Sequence, residues 1–74
     1  RHYRDRILLH RGIAYMKEEK FEQARQTFAS ADHVEADWYV VLTYLAQDQP
    51  KQAHQFYKSL ENPSTQLQEL VGQF

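Results

Sequence analysis

Cysteine is absent from the chain, so neither disulfides nor thiolate metal sites are available to it. Glycine occurs only at Gly12 and Gly72, too far apart to form a phosphate-cradling loop. No apolar run approaches the ~20 residues that span a bilayer, and no basic, apolar and small-residue zones mark a signal peptide, so direct membrane insertion is not expected. Neither sign of charge dominates: nine Lys and Arg face ten Asp and Glu, for a net charge of -1. Arg1, Arg4, Arg6 and Arg11 with Tyr3 form a basic stripe, but Asp5 interrupts it and the chain is not basic overall, so nucleic acid is not expected as a partner. The lack of cysteine suits a cytoplasmic and a periplasmic chain equally, which leaves the compartment open. The chain opens on Arg1 and reads as an excised piece of a longer protein, whether or not that parent is membrane-anchored.

What is present is apolar material for one core. With 74 residues, 42% hydrophobic and 26% charged, residues 1–74 are expected to form a single domain. At this length only about 60% of the unfolded surface is buried on folding, so tight helix packing, a partner or neighbouring chain segments must add stability. Charge is unevenly spread. Residues 1–31 hold seven Lys/Arg against four Asp/Glu, and residues 32–74 hold two against six. Such asymmetry steers an acidic partner, lets copies stack head to tail, or reflects ordinary solvated helix faces.

Periodicity and punctuation predict five helices and no strand. In the first, from Tyr3 to Glu18, Ile7, Leu8, Leu9, Ile13, Ala14, Tyr15 and Met16 recur at helical spacing. After the polar turn Lys17 to Lys20, Phe21, Ala24, Phe28 and Ala31 share one stripe of a second helix. Asp32 followed by Glu35 has capping-box spacing and is expected to start the third, which carries Trp38, Val41, Leu42, Tyr44 and Leu45 and ends at Gln47-Asp48-Gln49. Pro50 suits the first turn of the fourth helix, with Ala53, Phe56, Tyr57 and Leu60 inward and a stop near Asn62. Pro63 disfavours helix in the residue before it and fits the opening of a fifth. There Leu67, Leu70, Val71 and Phe74 form the apolar stripe, with Gln66, Gln68 and Gln73 outside.

The helices repeat. Gly12 and Val41, Ile13 and Leu42, Tyr15 and Tyr44, Met16 and Leu45, Ala24 and Ala53, Phe28 and Tyr57, and Ala31 and Leu60 all align at one offset of 29 residues. On these residues the chain resembles the tetratricopeptide repeat (TPR) family. Leu8, Gly12 and Tyr15 take the first-helix positions of its pattern, and Phe21, Ala24, Phe28 and Ala31 those of the second. Arg11 and Ala36 depart from the usual Leu and Pro; in the second copy Asp37, Val41 and Pro50 stand where an aromatic or Leu, a Gly and an aromatic are usual. The period is shorter than the family's roughly 34 residues, and the loss falls between Ala31 and Trp38, which predicts a tight join. The resemblance implies an all-α, right-handed stack of two antiparallel hairpins, residues 3–31 and 33–62, plus a C-terminal capping helix, residues 63–74. Small residues such as Gly12, Ala24 and Ala53 would let backbones approach, while Tyr15, Phe28, Tyr44 and Tyr57 fill the spaces between helices. Short-period pairs with a Trp-Tyr opening are also similar to repeat segments at the C-terminal ends of bacterial regulatory or envelope proteins.

The resemblance further implies a concave groove lined by the first helix of each hairpin, here Arg6, Leu9, Ile13, Met16 and Lys17 with Trp38, Leu42 and Leu45. This lining is largely apolar. Leu9 and Ile13 stand where the carboxylate-clamp members of the family need polar and basic residues, so an apolar peptide or helix is the expected partner. The alternative is that these side chains are covered by the fifth helix, by a second copy, or by further repeats of the parent chain, which makes the segment structural and self-associating with no ligand of its own. Chemistry is not expected. His2, His10, His33 and His54 lack the i, i+4 pairing of a helical zinc site, the serines and threonines lack a nucleophile signature, and Glu18-Glu19 sits at a polar turn. No catalytic residue, metal or cofactor is assigned.

Overall fold

The computed structural model describes residues 2–73, apart from the side chains of residues 2 and 34. Five α-helices follow one another: α1 (His2–Lys17), α2 (Phe21–Ser30), α3 (Val34–Ala46), α4 (Pro50–Lys58) and α5 (Thr65–Val71). Among the described residues there is no strand. The expected all-α, five-helix fold is therefore present, and Phe74 of the fifth-helix stripe lies outside the described residues. Among the described residues no helix is long and apolar enough to cross a membrane.

The 29-residue period holds at the level of single hydrogen bonds. At the end of α1 the Lys20 amide donates to the Tyr15 carbonyl at 2.9 Å and the Glu19 amide to the Met16 carbonyl at 2.9 Å. At the end of α3 the Gln49 amide donates to the Tyr44 carbonyl at 2.9 Å and the Asp48 amide to the Leu45 carbonyl at 3.0 Å. Both are Schellman stops, which pair otherwise orphaned carbonyls and need one left-handed residue. That residue is Glu19 (φ 62°) in the first copy and Asp48 (φ 58°) in the second. Left-handed backbone costs a non-glycine residue roughly 1–2 kcal/mol, less for Asp, whose short side chain bonds locally. Glu19→Gly is thus expected to raise stability by up to about 1 kcal/mol, read as a shift in urea midpoint at unchanged slope. A destabilised variant would mean that the turn does not hold residue 19 left-handed.

Helix starts differ from the sequence expectation in two places. Asp32 does not cap α3. Its amide donates to Asp5 Oδ1 at 3.2 Å, tying the inter-hairpin loop to α1, and the cap is His33, whose Nδ1 accepts the Glu35 amide at 3.1 Å. The join is tight, residues 31–33 only. Pro50 opens α4 as expected, but that helix ends at Lys58 rather than near Asn62, where Ser59 Oγ bonds the Phe56 carbonyl at 2.6 Å. Leu60 therefore lies beyond α4, although it still packs on the core. Pro63 likewise precedes α5 instead of opening it; Ser64 is the cap and accepts the Leu67 amide at 3.1 Å.

The first four helices pack in chain order, α1 on α2, α2 on α3 and α3 on α4. The odd-numbered helices also touch in turn, α1 with α3 and α3 with α5. The Cα trace measures 31 × 26 × 16 Å along its principal axes. Two apolar clusters form the interior. The first joins Leu9, Ala24, Phe28, Ala36 and Val40, with Tyr15, Met16 and Tyr39 against it. The second joins Val41, Ala53, Leu67 and Val71, with Trp38, Leu45, Tyr57 and Leu60 against it. Tyr44 and Phe56 touch both. Tyr15 and Tyr44, paired by the repeat, are each half-buried beside core.

The repeat is not uniform in volume. A Cβ on Gly12 would come within 2.4 to 2.7 Å of the Phe28 ring, so α1 passes the ring with bare backbone. In the second copy Val41 restores a buried side chain and the Phe28 counterpart, Tyr57, is only half-buried. Ala24 and Ala53 are fully buried, consistent with helices in close approach. Of the first-helix apolar residues, Ile7 (43% exposed) and Ala14 face outward rather than into the core, and Leu8 is half-buried.

Candidate functional site

The residues expected to line a groove fall into three groups. Leu9 is only 8% exposed and belongs to the first cluster, so it supports the surface from below instead of lining it. Ile13 and Met16 of α1, and Trp38 and Leu45 of α3, are half-buried: each packs on a cluster while keeping part of its surface in water. Leu42 is half-buried as well. Arg6 and Lys17 are exposed on α1. Because α1 touches α3, the structure brings two neighbouring helices together that each carry part-exposed apolar side chains, as a shallow docking surface requires.

On α3 there is also a cleft that the sequence pattern did not single out. It lies between α3 and α5, has a volume of about 450 Å³ and is open to solvent, and is lined by Glu35, Trp38 and Tyr39 from α3, by Gln66, Glu69 and Leu70 from α5, and by Gln73 just past the end of α5. Helical spacing places Glu35, Trp38 and Tyr39 on one face, three and four residues apart, so that half of the cleft was readable from the sequence. Its other wall depends on how α5 folds back. Trp38 meets Tyr39 edge-on, ring centroids 5.3 Å apart at 80°. Tyr39 in turn stacks on the Phe28 ring at 5.4 Å and 12°, which fixes it against the first cluster.

A second cleft, about 460 Å³, opens between α2, α3 and α4, with Phe28, Val40, Tyr44 and Phe56 as its apolar lining and Arg25 and Asp37 as its charges. Burial among these groups pushes the Asp37 carboxyl above its ordinary value. Arg25 is already engaged. Its Nη1 donates to Gln47 Oε1 at 2.6 Å and Thr43 Oγ1 at 3.2 Å, and its guanidinium carbon lies 4.4 Å from the centre of the Tyr44 ring. Thr43 is fully buried and donates to the Val40 carbonyl at 2.6 Å. This cross-helix node ties α2 to α3, and sequence reading counted Arg25 only as a charge, because its partners lie 18 and 22 residues away.

Among the described residues no three His, Asp or Glu side chains converge as metal ligands. No protein-family model matches the chain, and neither a curated protein nor a solved structure shows a significant likeness to it.

Proposed function

We propose that this chain is a TPR-like, non-catalytic interaction module in which two hairpins form a right-handed stack, and that it holds an apolar peptide or helix against the face made by α1 and α3. The observation that carries this reading is the pairing of α1 with α3, each ending in the same Schellman stop at the 29-residue offset and each presenting part-exposed apolar side chains. A repeat that places like faces side by side makes one continuous surface from two short helices. Ile13, Met16, Leu42 and Leu45 supply its apolar area and Trp38 its anchor, a residue type enriched at the centres of interfaces. Leu67 and Val71 of α5 close on Val41 and Ala53, the role of a terminal cap.

The test is selection of binders from a displayed library of amphipathic twelve-residue peptides. Selected peptides are expected to be apolar and to lose at least tenfold in affinity when Trp38 and Leu42 are replaced by Gln, with helical circular dichroism nearly unchanged. Collapse of the helical signal would instead make these residues core and sink the groove.

One feature favours a second reading, a structural segment that stacks on further repeats or on itself. Tyr3 is 78% exposed, and it shares with Ile7 an outer stripe of α1 beside Arg4 and Arg11. Concentration-dependent sedimentation that is abolished by Ile7→Glu would support this reading, and a monomer at all concentrations would oppose it.

A further inference from the structure

We infer that the cleft between α3 and α5 seats an arginine side chain of the bound segment, a deepening that rests on the peptide-holding reading above. The cleft carries two carboxylates, Glu35 and Glu69, and no basic side chain in its lining. Neither carboxylate forms an ion pair among the described residues, where the pair present is Lys20–Glu18. Glu35 has a structural reason for its place, since it stands in the first turn of α3, where the helix dipole favours negative charge. Glu69 has none. It stands in the last turn of the seven-residue α5, where the dipole disfavours a carboxylate and no basic residue compensates. A cation arriving from outside would remove that disadvantage.

The chemistry of the walls selects among cations. Trp38 offers the best aromatic face for a cation, and Gln66 and Gln73 offer amide oxygens. A guanidinium is planar, weakly hydrated and presents several N–H groups, so it stacks on an indole and donates to carboxylates at once, whereas an ammonium holds its water more tightly. The protein already uses this combination internally: Arg25 lies over the Tyr44 ring and donates to the Gln47 amide oxygen. The α3–α5 cleft repeats the aromatic and the glutamine, adds two negative charges and has the volume of a small-ligand site, about 300–1,000 Å³. The proposed groove would also carry unlike charges on its helices, with exposed Arg6 and Lys17 on α1 and the carboxylates on α3 and α5. A bound segment would therefore be oriented, its arginine toward α5.

Trp38 is the single tryptophan, so its fluorescence reports on this cleft without a label. The experiment titrates the intact chain with the blocked pentapeptide Ala-Leu-Arg-Leu-Ala and with the same peptide carrying citrulline, which keeps the shape and loses the charge. The expected result is saturable binding of the arginine peptide about tenfold tighter than the citrulline peptide, weakened several-fold by raising salt from about 0.05 to 0.5 M. Glu35→Gln with Glu69→Gln, at two exposed positions that leave the core untouched, is expected to erase the difference. Equal affinity for the two peptides would overturn the arginine seat while leaving the apolar groove standing. A silent Trp38 signal with both peptides, alongside binders selected elsewhere on the groove, would overturn the cleft as a binding site.

Discussion

Phe28→Ala is expected to bring the domain close to its unfolding threshold, at a cost of about 3–5 kcal/mol. The ring is 1% exposed, is stacked on Tyr39, and sits in the first cluster against Leu9, Ala24, Ala36 and Val40. Its loss removes transfer energy and leaves a cavity walled by backbone on the α1 side, where Gly12 has no side chain to collapse into the space. Small domains are stable by about 5–15 kcal/mol and one this short belongs at the lower end, so most of the margin goes. Urea unfolding followed by circular dichroism is the measurement. A cost under about 1 kcal/mol would mean that the ring is not the keystone of the first hairpin.

The second large effect is one of sign. Gly12→Ala in an otherwise unchanged helix should stabilise by about 1 kcal/mol, because alanine is the better helix former. Here the new methyl would meet the Phe28 ring within 2.4 to 2.7 Å, and that ring is held by its neighbours. Overpacking of this kind costs about 1–3 kcal/mol, so the substitution is expected to destabilise the natural chain. Placed on top of Phe28→Ala, the same change should stabilise, since the clash is gone and the helix preference remains. A double-mutant cycle would then show a coupling on the order of 1–3 kcal/mol. Additive effects would place α1 and the Phe28 ring out of contact.

Much of this architecture was legible in the sequence because the signals are local. Five apolar stripes gave five helices, Pro50 marked the start of α4, and the 29-residue offset returned as matched turns at Glu19 and Asp48. What went astray was decided across space. Asp32 has the right spacing for a cap, but its amide is claimed by Asp5, 27 residues away, and His33 takes the cap instead. Pro63 was placed in the first turn of α5 but precedes its cap, because Ser64, right after it, is the amide acceptor. Periodicity shows that Ile7 shares spacing with the core stripe, yet it says nothing about whether a helix lies on that side, and among the described residues none covers it. The candidate groove was legible only in part. Trp38 was placed in the groove from its position on the third helix, but its cleft needs α5 to fold back beside α3, and the Arg25 node needs two helices brought together.

The neighbour-by-neighbour order of packing, in which α5 meets the rest chiefly through α3, has a kinetic side. Contacts formed between adjacent segments close short loops, so little chain entropy is spent before burial begins, and such topologies fold in microseconds to milliseconds. Opening follows the same grain. Withdrawal of Leu67 and Val71 exposes Val41 and Ala53 while the Phe28 cluster stays shut, so amide exchange should be graded along the chain, with α5 releasing its protons first and the middle of α3 last.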